Sequence, residues 1–313
     1  MEAKTSRRPK ITVLGSINMD LVVRCRSFPN PGQTILAESS TEFCGGKGAN
    51  QAVAAAQAGA DVTMIGRVGS DSFADRLLQN LKDHHIGTEN VQRIADGASG
   101  MAIISLDRSG QNSITVVPNA NLELSETDVE SYRDVIAASD VLMLQLEVPI
   151  QTVIAAIRIA KQSGVRVMLD PAPAPHDFPS DLLDVDLLCP NQSETSQLTS
   201  LPAELIEQAK VAANQLRSQG CQNVAITLGD QGTYLSSPTY EGQLPAFTTN
   251  VVDTTAAGDA FAGVLATCWA QQKSLPEAVR YANAAGAIAA SRLGAQSSMP
   301  SWQEIEQLVS SQS

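Results

Sequence analysis

A chain of 313 residues, 43% of them apolar, can bury one large α/β core or two smaller ones, and with 4% aromatics that core is aliphatic and Ala-rich. A formal charge of −12 argues against a partner held through a nucleic-acid phosphate backbone, and no charge-free apolar run reaches the roughly 18 residues of a membrane span. The five cysteines are scattered, with no C-x-x-C, which fits a reducing, cytoplasmic compartment, and the three histidines have no metal-ligand spacing.

Residues 1–10 lack the apolar run of a secretory signal and are expected to form a disordered tail ahead of a domain over 11–313. Ile11-Thr12-Val13-Leu14-Gly15 is a short apolar run closed by Gly, the pattern of a buried strand. Asn18 and Asp20 follow, with Met19 between them, and in an extended chain the two polar residues point the same way. Ligands of open α/β sheets collect beyond the carboxyl ends of strands, so the pair suits a polyol: Asp accepts hydroxyl protons, and Asn both donates and accepts. The same two residues also read as an ordinary turn.

Residues 21–23, 34–37, 101–105 and 113–117 are strand-like, with turns at 28–32 and 107–110. No helices separate the paired runs. They are expected to form a small antiparallel sheet, from about 17–43 and 98–118, standing off the main domain as a lid. Cys44-Gly45-Gly46-Lys47-Gly48-Ala49-Asn50 precedes an Ala-rich helix over 51–58. Its glycines expose amides and Asn50 faces the same space, as for a polar small molecule; a tight turn before a closely packed helix reads the same way. A Walker A loop is excluded, since Thr41 and Gly48 stand where it needs Gly and Ser/Thr. There is no G-x-G-x-x-G, against a dinucleotide-binding dehydrogenase.

From residue 60 strands and helices alternate. Strands are expected at 62–66, 141–146, 166–169, 186–189, 224–228 and 233–235; helices at 71–83, from Ser125, 148–163, 202–219, 275–292 and 302–309. Glu147 sits at the end of a strand apolar on both faces. Asp170-Pro171-Ala172-Pro173 breaks another. Asn191 and Glu194, three apart at a helix start, suit water-mediated Mg²⁺, and equally a capping box. The loop Gly229-Asp230-Gln231-Gly232 can lie against a nucleotide, or be a plain hairpin.

In Asp253-Thr254-Thr255-Ala256-Ala257-Gly258-Asp259-Ala260-Phe261 the small residues cannot cover their own amides. Phe261, Val264, Leu265 and Cys268 then repeat at one helix face, so a loop turns into a helix here. Unfilled amides and the positive end of the helix dipole make an anion site. Asp259 beside it would repel a phosphate unless it takes a proton from an attacking hydroxyl. Its other reading is a carboxylate that complements the dipole.

Taken together, Gly15 to Asp20, Gly45 to Asn50, Asn191 to Glu194, Thr227 to Gly229 and Asp253 to Asp259 resemble, in order and rough spacing, the PfkB carbohydrate kinases over about residues 10–310. Asn-x-Asp with Gly-Gly-Lys-Gly-Ala-Asn resembles the ribose-phosphorylating branch most. The resemblance implies a ribokinase-like fold: a doubly wound, mainly parallel sheet flanked by helices, with a small β lid that can pair into a homodimer. It implies transfer from MgATP to O5 of D-ribose, giving ADP and D-ribose 5-phosphate. By matching motif, Asn18, Asp20, Gly46, Lys47, Asn50 and Glu147 look like sugar contacts, with Met19, Gly48 and Ala49 between them. Asn191, Thr227, Leu228, Gly229, Asp230, Gln231, Gly232 and Asn283 look like the ATP side, and Glu194 a residue that positions Mg²⁺ through water. Ala256, Ala257 and Gly258 resemble the anion hole and Asp259 the general base, touching both substrates. Asp253, Thr255, Ala289, Arg292, Gly294 and Ser298 match a K⁺ site, mostly through main-chain oxygens. A PfkB kinase for deoxyribose, fructose or adenosine is the alternative, and a non-catalytic sugar or nucleotide sensor the alternative of another class.

Overall fold

The computed structural model describes residues 7–108 and 111–312. Strand β1 (Lys10–Leu14) lies inside the molecule because its alternate side chains are covered on both sides: Ile11 and Val13 enter one apolar core, Leu14 the other. In chain order there follow β2 (Asn18–Arg24), β3 (Ser39–Gly45), α1 (Lys47–Gln57), β4 (Asp61–Val68), α2 (Ser72–Asp83), β5 (Gly87–Arg93), β6 (Gly100–Leu106) and β7 (Asn112–Val117). Next come α3 (Glu126–Ser131), α4 (Arg133–Ala137), β8 (Val141–Leu144), α5 (Ile150–Gln162), β9 (Arg166–Leu169), β10 (Leu187–Leu188), α6 (Gln192–Thr199) and α7 (Ile206–Ser218). The chain closes with β11 (Val224–Thr227), β12 (Thr233–Ser236), β13 (Glu241–Leu244), α8 (Ala257–Ala270), α9 (Leu275–Ala290) and α10 (Trp302–Ser311).

Nine strands form one sheet in the order β13-β12-β11-β10-β9-β8-β1-β4-β5. All neighbours from β11 to β5 are parallel; β12 and β13 add an antiparallel edge. One face is covered by α1, α2, α8, α9 and α10, the other by α3, α4, α5 and α7, the expected doubly wound arrangement. Helix α8 lies within the first core and is buried on every side from Asp259 to Ala270, not on one stripe. The small sheet has the order β3-β2-β6-β7: two antiparallel pairs joined by a parallel β2–β6 pair. It grows directly from the carboxyl end of β1, so its root stands beside the strand ends where ligands collect.

Two close approaches set the site. A Cβ on Gly48 would lie 2.6 Å from the Ser16 amide nitrogen, so the first turn of α1 rests on the backbone that leaves β1. A Cβ on Gly263 would lie 2.5 Å from Ala54 Cβ and 2.7 Å from the Gln51 carbonyl. Helices α1 and α8 therefore touch backbone to backbone, and that contact brings residues 50 and 51 to residue 259.

Several expectations are corrected. Residues 1–6 lie outside the described residues, but the remainder of the expected tail is ordered. Arg7 pairs with Asp140 at 2.7 Å, the Pro9 carbonyl accepts from the Asp61 amide, and Lys10 opens β1. Residues 34–37 form no strand; the partner of β2 is Ser39–Gly45, and Leu36, with nothing to pack on, is 91% exposed. Ser109 and Gly110, placed in the 107–110 turn, lie outside the described residues. Helix α1 starts at Lys47 rather than 51 because packing, not propensity, decides its glycine-rich first turn. Helix α7 begins at Ile206 because the Gln208 side chain accepts from the Glu204 and Leu205 amides and caps it there.

Candidate active site

The carboxyl ends of β1, β8 and β9 and the starts of α1 and α8 converge on Asp259. Asp259 sits in the first turn of α8 and is 6% exposed. Its Oδ2 accepts from Asn50 Nδ2 at 2.9 Å and its Oδ1 from Gln51 Nε2 at 3.1 Å. Gln51 Nε2 also donates to Asp170 Oδ2 at 2.7 Å, and Gln51 Oε1 accepts from Gln145 Nε2 at 2.6 Å. Behind Asn50, Gln296 donates to its Oδ1, and Asn80 donates to Gln296. A carboxylate held by two amides, each anchored by a further amide, keeps one orientation. Gln51, Gln145 and Asp170 were not singled out from sequence, although Gln51 adjoins the Gly-Gly-Lys-Gly-Ala-Asn run and Asp170 ends a strand.

Asn18 and Asp20 share one face of β2, opposite Gly45 and Phe43 of β3. Asp20 fills the space in front of Gly45, where a Cβ would lie 2.0 Å from its Oδ2. Met19, expected among the sugar contacts, points the other way into the first core and is fully buried. The strand's two-residue period requires that. Glu147 Oε2 accepts from the Ser16 hydroxyl and, at 3.2 Å, from the Lys47 amide, fixing the start of α1 to the end of β8.

The site is crowded with carboxylates. Burial, then the charges of Glu147 and Asp259, push Asp20 up to about 7. Asp170 is likewise raised, first by burial and then by Glu194 and Asp259, against the pull of Lys47. Burial works to lower Lys47, but Asp170, Asp259, Glu147 and Glu194 around it hold it above the ordinary lysine value. Lys47 is thus the cation that faces these acids.

On the other side of the α8 start lies a cleft of about 770 Å³. Asn191, Thr227, Gly229, Asp230, Gly232, Gly258 and Asn283 line it, as do Phe247, Thr248 and Val251, which sequence reasoning missed. Leu228, expected there, is a core residue at 1% exposure, and Gln231 turns away to donate to the Glu204 carbonyl. Asn283 spends its side chain on the protein, accepting from Thr233 and donating to the Leu244 and Pro245 carbonyls. It shapes the wall more than it offers a free hydrogen bond. No side chain caps α8, and Ala257 and Gly258 of its first turn line the cleft, the Ala257 N–H donating to the Thr254 carbonyl at 3.3 Å. Asn191 and Glu194 do form the capping box: Glu194 Oε2 accepts from the Asn191 amide at 2.8 Å, and Asn191 Oδ1 from the Glu194 amide at 2.9 Å.

A polar side and a nucleotide-sized cleft meeting at an uncapped helix start is the geometry of phosphoryl transfer to a hydroxyl. Residues 8–302 match the family model described as pfkB family carbohydrate kinase. The chain belongs to that family. It is a sugar kinase. A ribokinase of Haemophilus influenzae is 40% identical over 298 residues, 95% of this chain and 97% of that protein. A deoxyribokinase of Salmonella typhimurium is 36% identical over 301 residues, 96% of this chain and 98% of its own. A ribokinase of Arabidopsis thaliana, determined in complex with ribose and ATP, superposes with a TM-score of 0.89 at 32% identity, covering 97% of this chain and 99% of that one.

In this PfkB kinase three of the expected cation residues, Asp253, Thr255 and Gly294, come together where the loop before α8 meets the loop after α9. Asp253 Oδ1 accepts from the Thr255 amide at 3.0 Å and its Oδ2 from the Gly294 amide at 3.0 Å. The Ala290 carbonyl accepts from the Val252 and Asp253 amides, the Ala289 carbonyl from Arg292, and Ser298 donates to Ala295. Burial works to raise Asp253, but the donors from Thr255 and Gly294 hold it below the usual carboxylate range. Among the described residues no cluster of three or more His, Cys, Asp or Glu is placed to hold a metal ion.

Proposed function

We propose that this sugar kinase transfers the γ-phosphoryl group of ATP to O5 of D-ribose, with Asp259 as general base. The observation that carries the reading is the position of Asp259. It is fixed by Asn50 and Gln51 on the α1 side and stands one residue from Gly258, which lines the nucleotide-sized cleft. Asn18, Asp20, Asn50 and Glu147 orient the sugar, with Gly46 and Lys47 at its rim. Asp259 takes the O5 proton as the O–P bond to ribose forms and the bond to ADP breaks, and the α8 start at Ala256, Ala257 and Gly258 faces the charge on the transferring group. Asn191, Thr227, Gly229, Asp230 and Gly232 bound the nucleotide. Little more is needed, since phosphoryl transfer rests on positioning and charge stabilisation.

Mg²⁺, when bound, would neutralise phosphate charge. Glu194 fits it through water, because Mg²⁺ keeps several of its waters and burial pushes this carboxylate up, so a nearby cation would stabilise its charged form. K⁺ would be held by Asp253, Thr255, Ala289, Arg292, Gly294 and Ser298, mostly through main-chain oxygens. Replacing K⁺ by Na⁺ or a large organic cation at matched ionic strength is expected to lower kcat; equal rates in all three salts would remove this site. We assign the enzyme to the cytoplasm, in keeping with five unpaired cysteines. Among the described residues no helix is long and apolar enough to cross a membrane. We also assign it a homodimer formed through the small sheet, where Ile114 and Val116 of β7 stand exposed.

ADP release against a panel of sugars tests the substrate. D-ribose is expected to lead 2-deoxyribose, fructose and adenosine in kcat/KM, since a site built to pair a hydroxyl rejects a sugar that lacks it. The 36% identity to a deoxyribokinase makes 2-deoxyribose the second reading; if it or fructose leads, the kinase stands and the ribose assignment falls.

Asp20 gives a pH test. Without sugar it titrates near 7, and only its ionised form accepts two hydroxyl protons. Sugar binding then favours the ionised form and lowers its pKa, so binding releases protons near pH 7 and weakens as pH falls below it. Calorimetry in two buffers of different ionisation enthalpy should report that release. Proton uptake, or none, would remove Asp20 as the acceptor.

A further inference from the structure

Asn121 lies between β7 and α3, far in sequence from the sugar motifs, and is 1% exposed. The Ile17 backbone N–H, which can only donate, points at it at 3.0 Å. The atom of Asn121 that meets Ile17 is therefore the oxygen, Oδ1, and its Nδ2 is turned the other way. Nδ2 donates to Asn18 at 2.7 Å, so the Asn18 atom there is Oδ1. The two atoms fill the space in front of Gly100, where a Cβ would lie 2.2 Å from both Asn121 Nδ2 and Asn18 Oδ1. Asn18 is itself 2% exposed, and its Nδ2 has no protein partner among the described residues while not being sealed off. An Asn chosen for either polarity is thus locked in one.

We propose that Asn121 is a specificity-determining positioning residue: it fixes the Asn18 amide so that the sugar site offers an N–H donor there and an acceptor next to it, on Asp20. This rests on the reading that Asn18 faces the sugar. The site then demands, of two neighbouring sugar oxygens, that one accept and the other donate. A hydroxyl replaced by hydrogen fails at both places, but one replaced by fluorine keeps a weak acceptor and fails only at Asp20.

Mono-deoxy and mono-deoxyfluoro riboses, assayed on the unmodified enzyme, read this polarity without any variant. One position is expected where the fluoro sugar has a KM several-fold below that of the deoxy sugar. If fluorine beats hydrogen nowhere, the proposal is overturned. Asn121→Asp keeps an acceptor for Ile17 but sets a second acceptor against Asn18, which must then turn its Nδ2 inward and show the sugar an oxygen. Sugar KM should rise about 10–100-fold, as for a mispaired buried polar group, with ATP KM and kcat little changed, and the fluorine preference should vanish. A variant that melts lower but keeps the fluorine preference would make Asn121 merely structural and overturn the proposal. Asn18→Ala separates the two readings. Normal sugar KM there removes Asn18 from the site, and raised KM there with normal KM in Asn121→Asp removes only the role of Asn121.

Discussion

Asp259→Asn is expected to lower kcat about 10²–10⁴-fold, the usual cost of losing a general base, with sugar and ATP dissociation constants changed only a few-fold. Both carboxylate oxygens already accept one amide hydrogen, from Asn50 and Gln51. An amide in their place can satisfy one of these donors and opposes the other, which costs on the order of 1 kcal/mol of stability. Two effects limit the change in binding. Ribose keeps its other partners, and ATP loses a repelling charge beside its phosphates. Steady-state kcat, calorimetric binding and thermal unfolding on the same variant separate the contributions. Near-normal kcat would remove Asp259 as the base. Loss of folding or of all ligand binding would instead make its two amide bonds a structural clamp.

Strands β8 and β9 could be read from the chain because their residues are apolar on both faces and bounded by turn signals. Strands β5 and β13 could not: Val91 is the one buried residue of β5, and β13 has none, so neither carries a period. The parallel pairing of β2 with β6 depends on which strand arrives alongside, and no local pattern encodes that. In the site, Asn18, Asp20, Asn50 and Asp259 were visible because side-chain type and motif coincide. Gln51 was not, because its meaning comes from Asp170, Gln145 and Asp259, 94 to 208 residues away. At Asn191 and Glu194 two readings of the sequence stood side by side, and the capping box is the one that shows in the contacts: Glu194 accepts from the Asn191 amide and Asn191 from the Glu194 amide.

Gly258→Val is expected to leave stability unchanged and to cut kcat/KM for ATP at least 10²-fold. A Cβ built on Gly258 meets nothing within 4 Å, and the backbone there is ordinary helix. The added side chain therefore starts in open space, and the better helix propensity of valine offsets the ordering of its methyl groups, which leaves stability unchanged. The space it fills is the cleft in front of the first α8 amides. An oxygen of a transferring phosphoryl group must come within about 2.7–3.1 Å of such donors, and losing one donor of this kind typically costs about 10²–10³ in rate. Two added methyl groups hold the oxygen beyond that range. Sugar affinity should be kept, because the Asn50–Asp259–Gln51 contacts lie on the other side of the helix start. Gly258→Ala should fall between the two. Unfolding midpoints, ATP kinetics and sugar calorimetry on both variants check this. Full activity with Val would mean that the α8 start is not the anion site. A lowered midpoint would mean that glycine serves the fold there and not the phosphate.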